Sequence, residues 1–249
     1  MSGHSKWANI KHRKGRQDEK RGKLFGKLGK AIEVAARNGG GNIEFNPTLA
    51  TAVDKAKAAS MPNDNIERAI KRGSGEVEGA IYEETFYEGY GPGGVALYVQ
   101  VLTDNRNRAA SDVRSAFTRH GGNLGEPGSV GYLFSQRGLI LARGSEDEVM
   151  LLAIDAGAED ILGVDGGMYE VVTKPGDMRD IREALEDGGV EIESADVTQL
   201  PANTVPVEES EAKKLLRLID TLEDLDDVQA VFANYDIDDE VMEKVLAEA

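Results

Sequence analysis

Apolar positions recur at helical intervals over residues 23–37, where Leu24, Leu28, Ala31 and Ala35 form a stripe with Phe25 and Ile32 beside it. Asn38-Gly39-Gly40-Gly41 ends that pattern. A second helix is predicted from Asn46, as cap, and Pro47, at the first helical position, with Leu49, Ala52, Val53 and Ala56 on its face. A third is predicted from Asp64, which would form a capping box with Glu67, to Gly73. The apolar residues here are mostly small, so a thin, mobile three-helix unit is expected.

Past Gly79 the period shortens to two. Residues 82–88 and 95–102 alternate as strands about a wide glycine-rich hairpin, Gly89-Tyr90-Gly91-Pro92-Gly93-Gly94. Residues 107–120 return to a helix with Ala109, Val113, Ala116 and Phe117 on one face, followed by a loop at 123–129 and an apolar stretch at 132–134. Residues 137–204 read as strand, helix, strand, strand, helix, strand, with Asp165-Gly166-Gly167 as the central hairpin turn; that order is the ferredoxin-like βαββαβ unit. Beyond it, 208–225 reads as helix, 228–234 as strand and 239–247 as helix. These last elements are expected to complete the sheet begun at 80–134. The fold class is α+β: an N-terminal three-helix domain at 1–78, a central α/β domain at 79–135 and 206–249, and an inserted acidic ferredoxin-like domain at 136–205.

Charge changes this picture. The chain carries a net charge of −16, yet residues 1–72 hold 16 Lys and Arg against 7 Asp and Glu, while 73–249 hold 13 against 38. Such sign asymmetry points to a nucleic-acid partner or an interaction tail. Lys6, Lys11, Arg13, Lys14, Arg16, Lys20, Arg21, Lys23, Lys27 and Lys30 recur every few residues, with the only tryptophan, Trp7, and His12 among them. This density of cations suits phosphate neutralisation, and an exposed aromatic can stack on a base. Arg68, Lys71 and Arg72 add cations at the end of the third helix, where the helix dipole also favours them. Arg106 and Arg108 break a rule, since they sit in the first turn of a helix against its dipole. They are therefore binding candidates, and replacement of either by Glu is expected to leave stability neutral or slightly raised.

Other chemistry finds little material. There is no cysteine, which excludes disulfides and thiol catalysis and favours a reducing compartment. The three histidines are scattered, so neither a zinc site nor a nucleophile–histidine pair is expected, and no cofactor. The Gly-Tyr-Gly-Pro-Gly-Gly loop precedes a strand and lacks a following Lys-Ser or Lys-Thr, so it fails both nucleotide fingerprints. Asp236-Ile237-Asp238-Asp239-Glu240 lacks the glycine and final glutamate of a calcium loop. No apolar run reaches membrane-spanning length, and no apolar segment of signal-peptide type follows the basic start. A cytoplasmic, non-enzymatic protein is expected.

Six motifs carry a resemblance: GHSKWANIKHRK at 3–14, KAKAASMPNDNIERAIKRG at 55–73, YEGYGPGGVAL at 87–97, LTDNRNRAASDVRSAF at 102–117, GGNLGEPGSVGYLF at 121–134 and DLDDVQAVFANYDI at 224–237. In this order, and over nearly the full length, the chain resembles the YebC/PmpR family. The resemblance implies the three-domain arrangement above and a DNA-binding transcriptional regulator. Related proteins, including the mitochondrial translational activator of cytochrome oxidase, imply instead a ribosome-associated, rRNA-contacting translation factor. The chain departs from the family at Ser60, where Asn is common, and at Glu126-Pro127. Expected partners are nucleic acid, DNA or rRNA, with the ribosome as a further one; no membrane; and a monomer or weak oligomer. A third reading is a protein-interaction adaptor working through its acidic domain.

Overall fold

The computed structural model describes residues 21–164 and 166–247. Its first helices are α1 (Arg21–Gly39), α2 (Pro47–Ala58) and α3 (Asn63–Gly73). They enclose a core of Ile32, Ala35, Ala36, Leu49, Val53, Ala56, Met61, Ile66 and Ala69, with Phe25 and Leu28 packed against it. The buried stripe of α1 is thus rotated from the predicted one: Ile32 and Ala36 are fully inside, while Leu24 and Ala31 are half-buried. The rotation follows from α1 having a second partner on its lysine side, described below. Asn46 does more than cap. Its Oδ1 accepts from Leu49 N at 3.0 Å, and its Nδ2 donates to Ala35 O and Gly40 O at 2.9 and 2.8 Å, so one buried side chain starts α2 and finishes α1. The capping box at Asp64 does not form. Pro62 holds the cap position without a side-chain bond, its carbonyl accepts from Asn65 N and Ile66 N, and Asp64 lies inside the first turn, where only the dipole favours it. Gly73 is required by packing, because a Cβ there would run into the Glu33 carbonyl and the Ala36 methyl of α1.

The central sheet contains β1 (Glu83–Tyr90), β2 (Ala96–Thr103), the short β3 (Asn123–Leu124) and β9 (Val228–Ala233) in the order β3-β1-β2-β9, with neighbours antiparallel. The C-terminal segment therefore closes the sheet, as the strand pattern predicts. Leu97, Val99 and Val101 of β2 point to one face. There they meet Val113 and Phe117 of α4 (Arg106–Arg119), and Leu215, Leu218 and Leu222 of α7 (Glu209–Glu223). α8 (Asp239–Ala247) adds Met242 and Val245 to the same core. On the opposite face Phe86, Tyr98 and Phe134 stack, at centroid distances of 4.4 and 5.6 Å. The stretch 132–134 is only partly a core segment: Tyr132 is 75% exposed.

The loop after β3 is ordered by one carboxylate. Glu88 is buried and accepts from the backbone N–H groups of Gly128, Val130 and Gly131 at 2.8, 2.7 and 2.6 Å. Burial alone would raise its pKa, but these three donors outweigh that and hold it below the usual carboxylate range.

The second sheet comprises β4 (Phe134–Arg143), β5 (Asp160–Val164), β6 (Met168–Thr173) and β7 (Glu191–Pro201), with α5 (Glu146–Asp155) and α6 (Met178–Asp187) as crossovers. Its order β5-β6-β4-β7, antiparallel throughout, is the ferredoxin-like arrangement. Asp165 of the expected hairpin turn lies outside the described residues; Gly166 and Gly167 have φ values of +79° and +71°. A parallel pair, β8 (Val205–Pro206) with β10 (Tyr235–Asp236), ties the exit of this unit to the chain's end.

Among the described residues one non-glycine has positive φ: Ser60, at +60°. It sits just past the cap of α2, where Met61 N donates to Ala56 O and Ser60 N to Lys57 O, the Schellman pattern usually closed by glycine. The left-handed conformation costs a side-chain-bearing residue about 1 kcal/mol. Ser60→Gly should therefore raise stability by roughly 0.5–1 kcal/mol, measured by thermal unfolding. Ser60→Val should lower it.

Candidate nucleic-acid interface

Positions i, i+4 and i+7 of a helix share one side, so Lys23, Lys27 and Lys30 form a row along α1. That row meets the end of α7. A helix leaves its last carbonyls without partners and carries partial negative charge there. Lys27 Nζ donates to Glu223 O, the last residue of α7, and Lys23 Nζ to Asp224 O at 3.0 Å. Lys30 Nζ donates to Asp226 O at 3.0 Å and to Asp227 Oδ1 at 2.7 Å, with the Tyr82 ring 5.3 Å beneath it.

Asp227 is the junction. It is 7% exposed, and its Oδ2 accepts from Thr103 Oγ1 at 3.0 Å, Arg108 Nη2 at 2.7 Å and Arg108 Nε at 3.2 Å. Arg108 Nη2 also reaches Asp104 at 2.9 Å. Burial would push the Asp227 carboxyl up, but hydrogen bonds from Lys30 and Arg108 hold it below the usual range. Lys27 goes the other way: burial dominates over the attraction of Glu223, Asp224 and Asp226 and lowers its pKa from 10.5 to about 8.

The candidate residues fall into three groups. Lys6, Trp7, Lys11, His12, Arg13, Lys14, Arg16 and Lys20 lie outside the described residues, as does the side chain of Arg21. Lys23, Lys27, Lys30, Arg72 and Arg108 are engaged within the protein; Arg72 Nη1 lies 3.3 Å from the buried Glu33. Arg68 and Lys71 are exposed and have no ion-pair partner among the described residues. Arg106 is 65% exposed, and its contacts with Glu83 (3.8 Å) and Thr85 (3.4 Å) are loose.

Asn105 caps α4 by accepting from Arg108 N, so both arginines occupy the first turn as the pattern predicts. The expectation that the helix is better off without Arg108 is corrected. Two carboxylates offset the dipole, and one of them is buried. The outer face of α4 adds two cations that sequence reasoning passed over, Arg114 and Arg119, beside Ser111, Ser115 and Thr118. The acid pair Asp226-Asp227 reads in sequence as a solvated face, and for Asp227 that expectation is corrected, since it is buried and accepts from three side chains. Its only signal was an acidic run directly after a helix, a pattern that ordinarily marks a solvated face.

Arg108→Glu should lower the melting temperature by several degrees, because it sets a third carboxylate against Asp104 and Asp227. Arg106→Glu should stay within about ±0.5 kcal/mol of the parent. Thermal unfolding of the two variants separates them. A second expectation concerns pH. Between about pH 8 and 10.5 the folded chain binds fewer protons at Lys27 than the unfolded one, so stability should rise with pH there. The gain should be on the order of 1 kcal/mol by about pH 9.5, absent in Lys27→Met; urea unfolding at the two ends of the window measures it.

Two family models match the chain: TACO1/YebC protein N-terminal domain over residues 5–76, and TACO1/YebC second and third domain over 82–235. A protein of Halothermothrix orenii named "Probable transcriptional regulatory protein" is 54% identical, with all of both chains covered. One from Natranaerobius thermophilus with the same name is 57% identical over 98% of this chain and 99% of its own. The crystal structure of a conserved hypothetical protein from Aquifex aeolicus superposes with a TM-score of 0.80 at 49% identity, covering 90% of this chain and 94% of that one. The chain belongs to the TACO1/YebC family.

Proposed function

We propose that the protein is a non-enzymatic, nucleic-acid-binding regulator of gene expression that grips phosphates with its N-terminal domain, residues 1–78. The central domain (79–135 and 206–249) and the acidic domain (136–205) present that domain to its target. The observation that carries this reading is the segregation of charge, with 16 cations against 7 acids before residue 73 and 13 against 38 after it. Arg68 and Lys71 on α3, and Arg106, Arg114 and Arg119 on α4, are further exposed cations. The relatives are named probable transcriptional regulatory proteins, and a role in transcription would make DNA the target. The acidic body favours a second reading, rRNA contact by a translation factor, since an arm can enter an RNA-lined space while the rest faces basic protein. Among the described residues no helix is long and apolar enough to cross a membrane. A nucleic-acid target is the ground on which we place the protein in the cytoplasm.

Alanine at Lys11, Arg13, Lys14 and Arg16 together should weaken binding and reduce the log–log salt slope by roughly 0.7–0.9 for each lost phosphate contact. Melting temperature should hardly change. Fluorescence anisotropy with duplex DNA and with an rRNA hairpin, at matched salt, gives affinity and slope for each. Unchanged affinity for both probes would overturn the assignment, and a preference between them chooses the target.

A further inference from the structure

The lysine row of α1 is covered by the chain itself. The segment Glu223-Asp224-Leu225-Asp226-Asp227 carries four carboxylates in five residues. It offers main-chain oxygens to Lys23, Lys27 and Lys30 and one carboxylate oxygen, of Asp227, to Lys30 at 2.7 Å, filling the acceptor positions that phosphate oxygens would take. We infer that this segment is a built-in phosphate mimic: the Lys23–Lys27–Lys30 row is a contact surface for a nucleic-acid backbone, and binding there displaces residues 223–227 from it. This rests on the nucleic-acid-binding reading above and adds to it a competition within the molecule.

Three observations make the clasp separable. The core of the three helices and the core behind the central sheet share no residue. What joins the lysine row to the body is polar: lysine ammonium groups on carbonyls, Asp227, and the face of Tyr82. A cleft of about 580 Å³ runs beside the contact, lined by Lys23, Lys30, Tyr82, Asp104, Asp112 and Asp224 among others. Polar interfaces of this kind permit relative motion of the units that they join. Opening exchanges one set of oxygen acceptors for another, so the lysines are never left without partners. The exchange also carries counterion release from the nucleic acid, which grows as salt falls.

The chain has no cysteine, so a single engineered pair can be addressed cleanly. Lys23→Cys with Asp224→Cys, in the full-length protein, would be joined by a bis-maleimide whose spacer contains a disulfide. A linker is needed because an extended lysine side chain separates the two backbones too far for a direct bridge. Binding of a fluorescein-labelled RNA hairpin, and of a DNA duplex of equal charge, is measured before linking, after linking and after reduction. Linking should lower affinity about 10-fold or more at low salt and reduce the salt slope by roughly 2, the worth of Lys27 and Lys30 together; reduction should restore both. Equal binding in the linked and reduced forms overturns the competition while leaving the proposed function intact. No binding by the unsubstituted chain overturns both. Should the cysteine pair fold poorly, Asp224→Asn with Asp226→Asn serves instead. It should tighten binding several-fold more than Asp180→Asn with Asp187→Asn, a pair on α6 that removes the same charge elsewhere. Equal tightening by the two pairs also overturns the competition.

Discussion

One buried carboxylate sets the geometry between the basic helices and the rest of the chain. Asp227 receives an ammonium from α1, a guanidinium from the first turn of α4 and a hydroxyl from the end of β2. Each donor comes from a different element, so while these bonds are made a single residue sets how those elements sit. Leu102 N also donates to Asp227 O at 2.8 Å, which places the carboxylate at the end of the sheet where β2 and β9 part. Taking Arg108 away from Asp227 costs more than taking a cation from an exposed helix end, because the buried carboxylate would keep only Lys30 and the hydroxyl of Thr103. That asymmetry explains how a helix can tolerate two arginines in its first turn: one of them neutralises a carboxylate that has no other place to go.

Around this junction the molecule separates its tasks. Apolar contacts build three distinct cores: one among α1–α3, one behind the central sheet and one in the ferredoxin-like unit. Polar contacts fix the orientation of the first against the second. Burial is non-directional and strong, whereas hydrogen-bonded charges are directional and sensitive to salt and pH. Stability of each part and orientation between parts thus respond to different conditions, a property that would suit the proposed grip on a polyanion.

Much of this was legible in the sequence. Glycine and proline punctuation marked α1 to α3, the period-two runs marked β1 and β2, and the element order after residue 136 gave the ferredoxin-like topology. Local signals failed where a distant residue decided the outcome. The stripe on α1 differs from the local pattern because the helix packs on two sides, with Lys27 against the end of α7, almost two hundred positions away. Asp64 looked like a cap, but Pro62, with a fixed φ, took that position first. Glu88 and Asp227 could not be singled out because their partners are backbone N–H groups in one case and three separate elements in the other. The cationic start was plain as a composition. Which of its lysines the chain keeps for itself was not, since that depends on an acidic run at the far end.

The pairing of β2 with β9 across more than a hundred intervening residues gives the molecule an order of assembly. A chain made from its N-terminus folds its early, locally connected parts first. The three helices close on contacts that all lie within residues 21–73, so they are complete while the central sheet still lacks its edge strand. β9 and the acidic segment just before it are synthesised together, long after the three helices. Until then the lysines of α1 lack their acceptors, and the edge strand and the internal counter-charge arrive within the same few residues.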